Sequence, residues 1–183
     1  MTATPIPRTL ANTLYGDLDI STIKTLPKTR KQPNTIFINK NSIKDIAEEL
    51  KERINEGSQV YIIANAIEQS DNVNIKDLNR LLASIKSLFS NLTVEGLHGK
   101  MSNEEKKLIM DRFASGEINI LVSTTVVEVG IDVGNADTMV IYNAERFGLS
   151  QLHQLRGRIQ RGKRTGILWY NNTCVCRKRH KKT

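Results

Sequence analysis

The sequence predicts an α/β fold, a parallel β-sheet with helices on both faces. Three observations lead there. Strand-like apolar segments alternate with amphipathic segments of helical period from Thr35 to Tyr170. The strand-like segments are apolar nearly throughout, the pattern of strands covered on both sides. Aromatic residues make up only 5% of the chain, so the core must be built from Ile, Leu and Val.

Residues 1–34 hold all four prolines, Pro5, Pro7, Pro27 and Pro33, and read as a linker. Residues 35–38 (TIFI) are a short strand candidate. Residues 42–56 are helical by period, with Ile43, Ile46, Ala47, Leu50 and Ile54 on one face and Gly57 as the stop. Residues 59–64 (QVYIIA) form a strand rich in β-branched residues. Residues 75–89 repeat the helical stripe through Leu78, Leu81, Leu82, Ile85 and Leu88. Residues 92–97 (LTVEGL) return to a strand. Ser102 and Glu105 then make a capping-box pattern that opens a third helix, closed by Gly116. Residues 118–122 and 138–142 are strands, residues 149–159 a fourth helix and residues 166–170 a last strand. Such an alternation implies β-α-β units, whose ligands meet the loops at the carboxyl ends of the strands.

The length of 183 residues suits one domain with additional end segments. No run approaches the roughly 20 apolar residues that cross a bilayer, and the first residues lack the pattern of a signal peptide. Two cysteines, Cys174 and Cys176, are too few for a disulfide framework, and a cytoplasmic protein is expected. With His180 they make three cramped ligands, a poor metal site, so no metal centre is expected. The net charge of +8 is a property of the tail. Ten Lys or Arg and no acid follow Leu155, leaving 17 basic against 19 acidic residues before it. Overall charge is therefore weak evidence for a binding face.

Three segments at strand ends or on the fourth helix carry chemistry. His98-Gly99-Lys100-Met101-Ser102 places a glycine between a strand and a helix N-terminus, where free N–H groups suit a phosphate. An ordinary strand-to-helix turn reads the same way. Ser123, Thr124 and Thr125 put three hydroxyls at a strand end, able to bond phosphate oxygens, and Asp132 follows where it can accept from a ribose hydroxyl. A polar loop with a helix cap is the plain alternative. The fourth helix carries Gln154, Gly157, Arg158 and, three residues on, Arg161. Two guanidiniums at that spacing share a face and suit the charge that builds on a transferring phosphoryl group, unless the face is merely solvated. Residues 157–163 also fit the start of a phosphate-binding loop, G-x-x-x-x-G-K. Arg164 stands where Ser or Thr must meet Mg2+, and a helix precedes it where the loop requires a strand. That loop is rejected, and no other segment supplies one.

Together these segments resemble superfamily-two helicases and, within them, the RecG branch of ATP-dependent DNA helicases. Thr2-Ala3-Thr4 looks like motif III, residues 60–66 fall at motif IV, and His98–Met101 resemble a RecG segment. Residues 123–132 resemble motif V, and residues 154–161 match motif VI as Q-x-x-G-R-x-x-R. Asn143-Ala144-Glu145-Arg146-Phe147-Gly148-Leu149 is RecG-like too. The resemblance runs from residue 1 to about 162, with Gly134 in place of a proline and Gln160 in place of a glycine.

The resemblance implies a RecA-like helicase C-terminal domain over residues 35–170. Residues 1–34 would be a motif III remnant and interdomain linker, and residues 171–183 a basic, disordered tail. Arg158 and Arg161 would be arginine fingers on the γ-phosphate, with Gln154 positioning them. Gly130, Asp132 and Gly157 would line the nucleotide cleft. His98, Gly99, Thr124 and Thr125 would touch the DNA backbone, and Thr2 and Thr4 would couple hydrolysis to strand movement. The implied cofactor is ATP with Mg2+, held mainly by a first RecA-like domain that this sequence does not include. The implied partners are branched or forked DNA and that N-terminal domain, with no membrane. The expected activity is branch migration in repair and recombination, as part of an ATP hydrolase and not by this chain alone. The alternative is a truncated or frameshifted remnant, at most a non-catalytic nucleic-acid-binding module. Deleting everything after Gly162 would test whether the tail does the binding.

Overall fold

A computed structural model of the chain describes residues 33–38, 43–64, 71–124, 136–159 and 165–171. Six strands form one sheet: β1 (Asn34–Ile38), β2 (Val60–Ala64), β3 (Val94–Leu97), β4 (Ile120–Ser123), β5 (Thr138–Tyr142) and β6 (Ile167–Asn171). All pairings are parallel, in the order β1-β6-β5-β2-β4-β3. Four α-helices are described: α1 (Ala47–Asn55), α2 (Asp71–Leu88), α3 (Asn103–Ala114) and α4 (Leu149–Arg158). This is the parallel α/β sheet that the alternation of elements predicts, in the RecA-like form that the resemblance implies.

Strands β2 to β6 each serve two cores at once, whereas Ile36 and Phe37 of the edge strand β1 are exposed. Val60, Ile62, Ile120, Val122, Val140 and Trp169 face α1 and α2, packing with Ile46, Leu50, Ile54, Leu78 and Ile85. Their neighbours Tyr61, Ile63, Leu121, Met139, Ile141 and Leu168 face α3 and α4, packing with Met110, Phe113, Leu155 and Ile159. Successive residues point to opposite faces, so two covered faces require an unbroken apolar strand. Each such fully buried side chain contributes about 1.5–3 kcal/mol.

Boundaries move by small steps for local reasons. The first helical segment opens as a 3-10 turn, Ile43–Ile46, before α1. Helix α2 begins at Asp71, four residues before the start expected at residue 75, because its polar first turn carries no hydrophobic period. The last strand runs to Asn171, which pairs in register with Ile38 and Tyr142. Strand β6 is therefore an interior strand beyond the end of the RecG-like motifs, and deletion after Gly162 would remove the strand that joins β1 to β5. Among the described residues no helix is long and apolar enough to cross a membrane.

Helix α2 follows β2 on one face, and α4 follows the adjacent β5 on the other. The crossovers thus diverge at the carboxyl ends of β2 and β5, where such sheets hold ligands.

Candidate functional site

The carboxyl ends of β3 and β4 are locked side by side. Leu97 and Ser123 are register partners, and the Thr124 N–H donates to the Leu97 carbonyl at 3.2 Å. His98 and Gly99 therefore emerge next to Thr124. The turn is closed by the Met101 N–H on the His98 carbonyl at 3.3 Å and by Lys106 Nζ on the Gly99 carbonyl at 2.8 Å.

Helix α3 starts from this turn through a complete capping box. The Ser102 N–H donates to Glu105 Oε2 at 2.8 Å, and the Glu105 N–H donates to Ser102 Oγ at 3.2 Å. Hydrogen bonding to the Glu105 carboxyl, first from the Ser102 backbone and then from the Ser102 side chain, holds it below the usual carboxylate range. The charge of nearby His98 acts in the same direction. His98 is half-buried, and its Nδ1 is buried without a hydrogen-bond partner.

The hydroxyls predicted at the end of β4 are not equivalent. Ser123 is fully buried and its Oγ donates to the Thr124 carbonyl at 2.7 Å, so it is spent inside the fold. Thr124 is also buried, 6% exposed, at the lip of the strand. Thr125, Gly130 and Asp132 lie outside the described residues, as do Thr2, Thr4, Arg161, Cys174, Cys176 and His180.

The second cluster is carried by α4. After β5, Asn143 adopts a left-handed conformation (φ 51°) and starts a short 3-10 turn, Ala144–Arg146. Phe147 is buried behind it and anchors the start of the helix. Gln151 Oε1 accepts from the Gly148 N–H at 3.0 Å, satisfying one of the donors that a helix start leaves free. Leu155 and Ile159 bury the inner face. Gln154 is exposed, and Arg156, Gly157 and Arg158 are half-buried. Gln154 and Arg158, four apart, lie on one side of the helix. A Cβ placed on Gly157 would meet no described atom within 4 Å, so that side is open.

Among the described residues no carboxylate pairs with Arg156 or Arg158. Arg156 Nε is buried and has no hydrogen-bond partner. Burial pushes the Tyr170 phenol above its usual range, and the Arg156 charge pulls it partly back. A half-buried guanidinium without an acid calls for an anion, so this helix end fits a phosphate-bearing ligand.

Sequence reasoning missed a polar cluster beneath β5. Arg53, from the last turn of α1, donates to Thr138 Oγ1, Asp137 Oδ1 and the Thr165 carbonyl. Asp137 is only 2% exposed. No motif announces it; the one available signal was an acid immediately before a solidly apolar strand.

Three comparisons bear on this arrangement. The helicase conserved C-terminal domain family matches residues 40–163. The ATP-dependent DNA helicase RecG of Staphylococcus epidermidis is 48% identical over 162 residues, which are 88% of this chain and 24% of the relative. RecG of Thermotoga maritima is 45% identical over 163 residues, covering 88% of this chain and 21% of the relative. The chain thus spans about a quarter or less of the length of these relatives. A structure of RecG bound to a three-way DNA junction superposes with a TM-score of 0.75 at 39% identity, covering 93% of this chain and 22% of that one. The C-terminal domain of the DEAD-box protein Dbp5, at 22% identity and a TM-score of 0.52, shares the fold.

Proposed function

The chain belongs to the helicase conserved C-terminal domain family, on its RecG-like side, and from that premise we propose that it is the second motor domain of an ATP-dependent DNA helicase acting on branched DNA. The observation that carries this reading is the end of α4, where Arg158 stands half-buried beside the open side of Gly157, with no acid partner among the described residues.

ATP with Mg2+, when bound, supplies the phosphoryl group whose transfer to water drives the motor. In this reading the residues of this chain act on it from one side. Arg158 and Arg161 neutralise the charge that develops on the phosphate oxygens, and Gln154 helps to orient them. Gly157, Gly130 and Asp132 line the nucleotide cleft. His98 and Gly99, at the end of β3, and Thr124 and Thr125, after β4, hold the DNA backbone without reading bases. Thr2 and Thr4 couple hydrolysis to movement. The motor domain expected over residues 35–170 also takes in Asn34 and Asn171, which begin β1 and end β6; the residues before it link it to the first domain, and those after Asn171 form a separate basic tail. Branch migration in repair and recombination is the role this implies for the whole helicase.

The phosphate-binding loop belongs to the other domain, so the purified 183-residue chain should hydrolyse no ATP on its own. Mixed with the first motor domain of a RecG relative, it should restore DNA-stimulated hydrolysis. Arg158→Ala should lower kcat of that pair by about 10³-fold or more. Robust hydrolysis by the chain alone, or an Arg158→Ala pair as active as wild type, would overturn this reading.

A further inference from the structure

We propose that Arg53 and Asp137 are positioning residues that pin the chain on the far side of the arginine helix and so set where Arg158 and Arg161 stand. This rests on the reading that those arginines face the phosphates. The observation is a clamp at the foot of the sheet, in which a half-buried Arg53 grips the buried Asp137 and Thr138. Arg53 Nε donates to Thr138 Oγ1 at 2.9 Å. Its Nη2 donates to Asp137 Oδ1 at 3.3 Å and to the Thr165 carbonyl at 3.2 Å. Asp137 is held from two further sides, by Ser58 Oγ at 3.0 Å and by Thr138 Oγ1 at 2.8 Å. The Arg53 side chain is 18% exposed and that of Asp137 3%.

Thr165 is what connects the clamp to the site. It opens the described return from α4 into β6. The next residue, Gly166, accepts from the Asn34 N–H at 2.8 Å, and the Ile167 N–H donates to the Asp137 carbonyl at 2.9 Å. A Cβ on Gly166 would stand 2.8 Å from the Ile159 carbonyl and 3.2 Å from that of Asp137. Ile159 is the residue that ends α4, directly after Arg158. The backbone leaving the arginine helix and the backbone returning to the sheet are thus in contact, and Arg53 grips the return. Arg161 lies between those two pinned points in sequence.

A planar fork is needed for this task. Arg53 reaches a hydroxyl, a carboxylate and a backbone carbonyl at once, and a lysine ammonium on its flexible stem cannot hold the same three acceptors in one plane. Charge alone would pair with Asp137 equally well, so Arg53→Lys separates geometry from charge.

The test uses the whole chain in two arms. In the first, amide exchange is followed in wild type, Arg53→Lys and Thr138→Val. Exchange at Ile159 and Ile167 should rise about tenfold or more in both variants, with the amides of Ile62 and Val122 in the sheet centre unchanged. Unchanged exchange at Ile159 and Ile167, or an equal rise throughout the sheet, would overturn the proposal. In the second arm, each protein is paired with the first motor domain of a RecG relative. Arg53→Lys should lower kcat by about 10- to 100-fold while KM for ATP stays at the wild-type value. A normal kcat, or a loss confined to KM, sinks the positioning role and leaves the arginine reading standing. A wild-type pair that hydrolyses no ATP defeats the arginine reading itself, and the proposal with it.

Discussion

Two glycines nine residues apart illustrate how differently one residue type can be constrained. Gly166 is fixed from inside the fold, because a side chain there would press on two backbone carbonyls at 2.8 and 3.2 Å. Neither carbonyl is free to retreat, since one ends α4 and the other is bonded to Ile167. Gly166→Ala should therefore cost about 1–3 kcal/mol, read as a lower unfolding midpoint in urea. Gly157 sits in the last turns of a helix with open space beside it. Within this chain Gly157→Ala should be neutral or stabilising by up to about 1 kcal/mol, since alanine favours a helix. If the open side faces a nucleotide, the same variant should nonetheless lower hydrolysis by the reconstituted pair. A destabilised Gly157→Ala chain would show that the glycine serves the fold instead. The two substitutions together separate a packing glycine from a ligand-facing one.

At the scale of the element, strand β5 ties the two ends of the sheet together. Its amino end carries the Asp137–Thr138 clamp, and its carboxyl end delivers Tyr142 and the turn into α4. Burial pushes the Tyr142 phenol up to about 12 from its ordinary 10. The folded pKa lies above the unfolded one, so the neutral phenol supports the fold fully below pH 10. That contribution is lost as pH climbs from about 10 towards about 12. Urea midpoints should fall across this window, and Tyr142→Phe should fall less steeply than wild type because it has no phenol to ionise. Identical slopes for the two proteins would show that Tyr142 is not responsible. Helix α3 shows the opposite case, an element legible from its own residues. The Ser102–Glu105 capping box was read from four consecutive positions and formed as read, because both partners lie within one helical turn.

For the whole molecule, the position of the charge decides how DNA binding should be tested. The excess of Lys and Arg lies after Leu155, but β6 lies there too, inside the sheet between β1 and β5. A deletion aimed at the basic tail must begin after Asn171. Removing residues 172–183 takes away five Lys or Arg and leaves every described strand intact. If the tail holds DNA by counterion release, the truncated chain should lose most of the salt dependence of binding. If binding and its salt slope persist, the strand-end groups around His98 and Thr124 carry it.

From its residues alone, this chain determined the kind and order of its elements and the helix that bears Gln154, Gly157 and Arg158. Those features depend on hydrophobic period, turn chemistry and local spacing, all of which operate within one or two turns of chain. Motif resemblance added the family, because it compares short runs of fixed spacing. Tertiary structure alone decided the strand order, with β2 at the centre and β1 beside β6. It also decided that the Ser123 hydroxyl is spent inward and that Arg53, 84 residues before Asp137, grips the return from the arginine helix. The reason is physical: a side chain's hydrogen-bond partners depend on which segments the crossovers bring together, and that placement is a property of the packed sheet, not of any local window. Arg53 reads in sequence as one more polar residue on an amphipathic helix, and only burial against β5 turns it into a clamp.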